Sequence, residues 1–197
     1  MGQGSVTKDR ILQVALKLFA QHGFEGARME KLAAEVGINK ASLYFHFKSK
    51  EEIFQELFHG IIVQYRTKMK QIVDDTKGMT MKDRLTAIYR NYLDYNVNNP
   101  EMEFWNKVYY LPPSSVSEEV IQTTAETKKE FVSSLTLIME EGIRNKELKS
   151  SDPQHMATVF YYLMTCIDLS SDLMSKEEAL EEMEHCFDVL WVGMKGM

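Results

Sequence analysis

Signals that start and stop helices recur along the whole chain, and they constrain its fold more than any other feature. Capping patterns begin at Ser49, Thr80 and Ser175, and stop signals stand at Gly37 and at the Pro-Pro pair 112–113. Between these signals apolar residues recur with the helical period, and no stretch keeps the period-two alternation typical of strands. The pattern predicts an all-α protein.

Nine helices fit between these signals, three closely spaced ones followed by six that are mostly longer. The predicted spans are residues 8–22, 29–36, 40–47, 50–74, 81–98, 100–110, 115–145, 153–172 and 175–194. We predict a small N-terminal domain over residues 1–53 and a larger helical domain over residues 54–197.

The charge of the chain is divided unevenly. The whole chain has a net charge of −6, yet residues 1–50 carry 8 Lys/Arg against 4 Asp/Glu, a net charge of +4. Residues 51–197 carry 15 Lys/Arg against 25 Asp/Glu, a net charge of −10. A basic region on an acidic remainder favours contact of that region with a polyanion such as DNA, although a basic face that is merely solvated gives the same count.

The sequence carries no pattern typical of export or membrane insertion. No run approaches the roughly 18 apolar residues that a membrane-spanning helix needs, and the first residues lack a basic-then-apolar signal. We therefore expect a cytoplasmic protein with no membrane partner. The two cysteines, Cys166 and Cys186, are too few for a disulfide scaffold, and we expect both to be reduced and buried.

Residues 29–47 have the spacing of a helix-turn-helix, with Gly37 in the turn between two short helices. In the second helix Leu43 and Phe47 share one face, which can anchor it to the neighbouring helices. Phe45 lies on the opposite face, among small and basic residues. A large aromatic side chain there needs a partner. That partner is either a DNA groove or another helix of the same chain, and the pattern alone leaves both open.

Three runs in this region resemble the DNA-binding domain of tetracycline-repressor-like (TetR/AcrR) regulators. They read GFE at 23–25, KLAAEVGI at 31–38 and KASLYFHFKSKEEIF at 40–54, within a match over roughly residues 7–54. The resemblance implies a homodimer that binds a palindromic double-stranded DNA operator. It also implies base contacts by Lys40, Ala41 and Ser42. Phosphate contacts are implied for Tyr44, Phe45, His46 and Lys50.

Two positions depart from the family pattern. The family usually caps the second helix with Thr or Ser, whereas this chain has Ala27-Arg28, which weakens that N-cap by about 1 kcal/mol. Arg28 is instead a candidate phosphate contact, and Asn39 completes the predicted DNA-binding set. The family often has Tyr where this chain has Phe45, so no hydroxyl contact is available there.

The last two helices are so apolar that most of their surface must be buried against other helices. Residues 156–167 contain no charge, and the final helix has a broad apolar stripe. One chain of this size could bury both helices. The resemblance implies instead that they pair with their copies as a four-helix dimer interface. The predicted interface residues are Phe160, Tyr161, Met164, Ile167, Met183, Phe187, Leu190 and Trp191.

Aromatic residues and methionines are concentrated in the middle of the chain. As a group they suit an adaptable cavity for a small hydrophobic effector, although an aromatic core with satisfied hydroxyls explains them equally well. The predicted effector-binding residues are Tyr65, Tyr89, Tyr92, Trp105, Tyr109, Phe131 and Met139. In the mechanism that we hypothesise, the effector tilts helix 50–74, changes the spacing of the two recognition helices, and so releases the DNA.

The sequence also offers two other classes of function, a di-iron enzyme and a helical ligand-binding module. Glu56-x-x-His59 and Glu182-x-x-His185 imitate the paired motif of di-iron helical bundles, but the second pair lies outside the apolar arc of its helix. No phosphate-binding loop or nucleophile motif is present. We therefore predict no enzyme, no metal and no cofactor. A helical ligand-binding module without DNA activity is the remaining alternative to a DNA-binding regulator, for which repression is the expected role.

Overall fold

A computed structural model describes residues 3–97, 99–170 and 175–196 of the chain, and its helices confirm the all-α prediction. Across these residues no strand forms, and an isolated bridge joins Leu148 to Lys195. Nine helices are described within these ranges. They are α1 (Gln3–Gly26), α2 (Met29–Val36), α3 (Lys40–His46), α4 (Lys50–Asp74), α5 (Met81–Val97), α6 (Pro100–Tyr110), α7 (Ser117–Arg144), α8 (Pro153–Ser170) and α9 (Lys176–Met194).

The helix ends follow the local signals closely. Gly37 adopts the left-handed conformation (φ 79°, ψ 31°) after α2, and its N–H donates to the carbonyls of Ala33 and Ala34. Ser175 and Glu178 form a reciprocal capping box at α9. Gly23 interrupts α1 with φ 67° and ψ 171°, a conformation open to glycine and strained for other residues. Predicted and observed ends differ most at α1, which begins five residues earlier than expected.

The chain divides into two compact units, and the division differs from the predicted boundary between residues 53 and 54. The first unit comprises Met1–Gln64 and Pro100–Thr124. Its centre is a group of aromatic rings, in which Phe54 is fully buried and lies 5.3 Å from Phe24 and 5.5 Å from Phe104, centroid to centroid. Because α6 shares this cluster with α1 and α4, residues 100–124 are part of the compact unit that contains the helix-turn-helix.

Polar contacts join the same elements of the first unit. The Nζ atom of Lys107 on α6 donates to the carbonyl of Ala20 on α1, at 2.5 Å. Gln55 on α4 donates to Glu119 at the start of α7, at 2.8 Å. These contacts add to the aromatic packing, so α6 is held against α1 at more than one point.

The second unit comprises Tyr65–Asn99 and Ala125–Met197. Its core brings α5, α8 and α9 together around Tyr89, whose ring lies 6.2 Å from Phe160 and 6.3 Å from Phe187. Burial raises the pKa of the Tyr89 phenol, and the nearby Cys186 and Glu182 raise it further. Arg84 is buried as well, and its Nη1 donates to Glu141 at 2.8 Å.

Two expectations about surface and burial were tested by the fold. The prediction that both cysteines are buried was wrong, since Cys166 is exposed on α8 and Cys186 is half-buried on α9. The apolar run 156–167 alone could not show which of its residues would face outward. No helix in the part of the chain that the structure describes is both long and apolar enough to cross a membrane.

Candidate functional site

The helix-turn-helix places α3 on the surface of the first unit. Leu43 and Phe47 are completely buried, and Leu32 of α2 is buried beside them in the same unit. The side chain of Asn39 accepts a hydrogen bond from the Ser42 N–H at 2.8 Å and so caps the start of α3. One side of α3 is therefore fixed by packing and its first turn by the cap.

The opposite side of α3 is open. Phe45 is 77% exposed, Tyr44 and Ala41 are also exposed, and Ser42 is half-exposed. The Phe45 ring lies edge-on to the His46 ring, at 5.5 Å between centroids. The alternative in which other helices of the chain bury Phe45 is thus excluded. An aromatic side chain held in water by a short capped helix is available to a partner.

Lys40 at the start of α3 is paired within the free protein. Its Nζ atom donates to Glu30 of α2, and it lies 5.9 Å from the centroid of the Tyr44 ring. The hydrogen bond from Lys40 lowers the pKa of Glu30, and the same bond raises the pKa of Lys40. A DNA phosphate or base that binds the Lys40 ammonium group must therefore compete with the Glu30 carboxylate.

Lys50, predicted to contact phosphate, already has partners in the first unit. Its Nζ atom donates to the Phe24 carbonyl at 2.7 Å, lies 4.2 Å from the centroid of the Phe24 ring, and is 3.9 Å from Glu25. The side chain is 20% exposed. It ties the first turn of α4 to residues 24–25, so its role in this structure is to position the motif.

The remaining members of the predicted DNA-binding set lie around the same surface. Arg28 is exposed at the start of α2 and provides no side-chain cap there, which agrees with the weak cap expected from Ala27-Arg28. Asn39 is exposed and serves as the α3 cap, and His46 is half-buried. Seven of the nine predicted residues thus lie on α3 or at its N-cap, whereas Arg28 stands at the start of α2 and Lys50 at the start of α4.

The predicted effector-binding residues are divided between the two units. Trp105 and Tyr109 belong to the first unit, where Trp105 stacks on Phe58 at 5.8 Å. Tyr89 and Met139 are packed in the core of the second unit, as is Tyr92. Tyr65 and Phe131 line a groove in that unit. Helical periodicity showed which aromatic residues face inward, but it could not show which of them border empty space.

That groove lies between α4 and α7 in the second unit and has a volume of about 600 Å³. Apolar side chains of both helices form much of its lining. These are Tyr65, Met69, Val73, Phe131, Leu137 and Ile138. Charged side chains also border it, four basic and three acidic. These are Arg66, Lys70, Lys77, Arg84, Asp74, Glu130 and Glu141.

The charged part of this groove was not predicted from the sequence. Arg66, Lys70 and Val73 recur at the spacing of one face of α4, and Lys77 follows shortly after this helix ends. That pattern was a usable signal, but on an otherwise acidic chain a row of cations is also what a solvated face looks like. Only the position of α7 beside α4 makes the row part of a concave surface.

Five of the eight predicted dimer residues are used inside the second unit. Phe160, Tyr161, Met164, Met183 and Phe187 are buried in the monomer, so their side chains already pack within one copy, and their part in a dimer interface stays a prediction. Leu190 and Trp191 are half-buried, and the side chain of Ile167 lies outside the described residues. The exposed apolar residues of the same helices are instead Val159, Tyr162, Val189 and Val192.

The side chains of the two Glu-x-x-His motifs are either exposed or held in ion pairs. Glu182 and His185 are exposed on α9, as their position outside the apolar arc predicted. Glu56 pairs with Lys8 at 2.7 Å, and His59 pairs with Glu119 at 2.9 Å. Within the described ranges no group of three or more His, Cys, Asp or Glu side chains could hold a metal ion.

Comparison with known proteins supports a regulator rather than an enzyme. Residues 11–57 match the family model for bacterial regulatory proteins of the tetR family. The uncharacterized HTH-type transcriptional regulator YerO of Bacillus subtilis is 29% identical over 138 residues, which are 69% of this chain and 48% of YerO. The chain thus spans about half the length of that relative. The relatives found are transcriptional regulators, which agrees with the prediction that the chain is not an enzyme.

Two further matches extend over more of the chain. IcaR of Staphylococcus aureus, the negative transcriptional regulator of the biofilm operon icaADBC, is 28% identical over 170 residues, covering 77% of this chain and 88% of IcaR. The structure of AibR in complex with isovaleryl coenzyme A and operator DNA has the same fold, with a TM-score of 0.67 and 19% identity over 90% of this chain and 95% of AibR. The match over residues 11–57 confirms the predicted resemblance of this region to the tetR family of bacterial regulatory proteins.

Proposed function

We propose that this protein is a DNA-binding transcriptional repressor that binds a palindromic operator as a homodimer and is released by a small molecule. The open side of α3 carries the proposal. A short helix anchored by Leu43 and Phe47 presents Ala41, Ser42 and Phe45 outward, with Tyr44 and Lys40 beside them. Small residues allow close approach to base edges, and the ring, hydroxyl and ammonium groups suit sugar and phosphate.

The relatives support the regulatory direction of this proposal. IcaR is a negative transcriptional regulator, and AibR has been crystallised with both operator DNA and isovaleryl coenzyme A. We infer that this chain likewise combines DNA binding with ligand binding, and that the ligand lowers DNA affinity by linkage. The helical module without DNA activity is disfavoured because it gives no reason for an uncovered Phe45.

Dimerisation is proposed through exposed apolar residues of α8 and α9. Val159 and Tyr162 stand one turn apart on α8, and Val189 and Val192 stand one turn apart on α9. These two helices pack against each other within the second unit. A two-fold axis through this surface would bury all four side chains of each copy in the dimer interface. It would also give two copies of α3, which must enter major grooves about 34–36 Å apart, or a multiple of that spacing.

DNA binding should respond in opposite directions to changes at the two ends of the Lys40–Glu30 pair. We expect Lys40→Ala to weaken operator binding roughly ten-fold, because a contact to base or phosphate is lost. Glu30→Gln should strengthen it, because Lys40 no longer has to leave a carboxylate. Gel shifts, on a site first selected by the protein from random DNA, measure both changes.

Thermal unfolding provides the control for this pair, because both side chains are exposed and neither change should affect folding. Selection of no DNA by the folded wild-type dimer would falsify the proposed function and favour the ligand-binding module. Equal weakening by both variants would show that Glu30 supports the DNA contact, contrary to the competition described here.

Val189→Arg is expected to convert the dimer into monomers. The side chain is 77% exposed in the monomer, so the change costs little in folding, but two buried charges facing each other across a two-fold axis would disfavour association. Sedimentation equilibrium measures the mass. Val63→Arg makes the same change at an exposed position of α4 and should leave the dimer intact. A Val189→Arg dimer as strong as the wild type would show that the copies meet elsewhere.

A further inference from the structure

We propose that the groove between α4 and α7 binds a small amphipathic anion, with a carboxylate or phosphate head and a hydrophobic body. The groove is defined within the second unit alone, and its volume of about 600 Å³ is in the range of small-molecule sites. The existence of this binding site does not depend on DNA binding, but its role as the effector site rests on the proposed function.

The charges around the groove leave a surplus cation. Arg66 is 3.0 Å from Glu130, Lys77 is 2.7 Å from Asp74, and Arg84 is 2.8 Å from Glu141, so each of the three carboxylates has a basic partner. Lys70 forms no ion pair with the residues that the structure describes. A ligand carboxylate or phosphate would supply the missing negative charge.

Arg84 supplies a second, independent reason to expect an anion. Its side chain is 6% exposed, yet it lines the groove. Nε donates to the Thr76 hydroxyl at 3.4 Å and Nη1 donates to Glu141 at 2.8 Å. The second Nη group donates to none of the described residues. A nearly buried guanidinium with donors to spare is a strong site for a carboxylate or phosphate oxygen, because such hydrogen bonds are charge-assisted.

The same contacts disfavour a cationic ligand. A cationic ligand would have to bind a carboxylate that is already paired with a basic residue. If it bound Glu141, the charge of Arg84 would be left buried and unpaired, which is unfavourable in free energy. Asp74 is already held by Lys77, whose hydrogen bond lowers its pKa. An anion adds to the existing pairs and breaks none of them.

The hydrophobic body of the ligand has a matching surface. Tyr65, Met69, Phe131 and Ile138 are buried side chains that nevertheless border the groove. Leu137 also lines the groove and is 66% exposed, so the apolar lining reaches the solvent-exposed rim. Apolar lining beside the Arg84 and Lys70 cations accounts for an amphipathic ligand better than for a simple inorganic anion.

Isothermal titration of the full chain with three probes of equal tail length tests the proposal. Decanoate and decyl phosphate are the anionic probes, and decyltrimethylammonium is the cationic one, all used below the concentrations at which they form micelles. We expect at least one anion to bind, and the tighter one identifies the head group. The cation should not bind. Lys70→Glu should weaken anion binding roughly ten-fold, since a charge-assisted contact becomes a repulsive one.

The matched control is Lys129→Glu, which makes the same change at an exposed position of α7 that does not line the groove. Thermal unfolding of both variants shows whether they remain folded, which is expected because both lysines are exposed. Equal binding of the anion and the cation, binding of neither anion, or equal loss of binding in both variants would overturn the proposal.

The link to regulation is measured separately by gel shift with and without the anion. If decanoate binds in a manner sensitive to Lys70→Glu but leaves operator affinity unchanged, the groove remains an anion site and the proposed release by this ligand is wrong. If wild-type protein binds operator but no probe, the DNA-binding function stands and the groove proposal is wrong. The two failures are therefore distinguishable.

Discussion

Replacing Ala41 with glutamate is expected to abolish operator binding while leaving the protein folded. Ala41 is exposed in the first turn of α3, where a carboxylate is favourable to the helix because of the helix dipole. The same carboxylate would face the phosphates and base edges of DNA at the point of closest approach. Loss of a contact together with electrostatic repulsion should weaken binding by more than about 100-fold, or about 2.7 kcal/mol.

The measurement is a gel shift or anisotropy titration on the selected operator at fixed salt concentration, since DNA affinity depends steeply on salt. Ala125→Glu provides the control, because it adds the same charge at an exposed position of α7 and should leave operator affinity nearly unchanged. Circular dichroism of both variants reports folding. A folded Ala41→Glu protein with wild-type affinity would show that α3 does not approach DNA with this side.

Phe54→Ala is expected to be the most destabilising single change in the first unit, by about 3–5 kcal/mol. Phe54 is fully buried, and its ring centroid lies within 6.1 Å of those of Phe19, Phe24, Phe58 and Phe104. Alanine would leave a cavity at the point where α1, α4 and α6 meet. Since natural domains are stable by about 5–15 kcal/mol, this loss removes a large share of the total.

Urea unfolding followed by circular dichroism measures the change in the free energy of unfolding. Phe45→Ala is the matched control, because it removes the same ring from the exposed side of α3 and should change stability by less than about 0.5 kcal/mol. Phe45→Ala should still weaken DNA binding, whereas Phe54→Ala should affect DNA binding only through unfolding. Equal loss of stability in the two variants would contradict the arrangement of the rings described above.

Agreement between sequence and structure was best where the information is local. Thr80 accepts a hydrogen bond from the Asp83 N–H at 3.3 Å, and Ser49 accepts one from the Glu52 N–H at 3.2 Å, as their capping patterns predicted. The stop at Gly37 also forms as predicted. Each of these signals acts over four residues or fewer, so its effect does not depend on how the rest of the chain packs.

The predictions from the sequence agreed least with the structure on which apolar side chains are buried within the monomer and which remain exposed. Met183 and Phe187 are buried in the monomer, whereas Val189 on the same helix is exposed. Periodicity assigns all three to an apolar helix, but it carries no information about which neighbour fills the space beside each one. The mixing of core and candidate interface residues in the sequence analysis follows from that limit.

The helical class of the protein, most helix ends, the anchored side of α3 and the family resemblance of the helix-turn-helix could all be predicted from the sequence. All of these depend on contacts between residues close together in the chain or on a contiguous motif. The packing of the helices was needed to show that Phe45 is open to solvent, that α6 packs in the same unit as the helix-turn-helix, and that Lys70 and Arg84 border one groove. Those features depend on residues far apart in the chain, and their contacts form only when separate helices pack together.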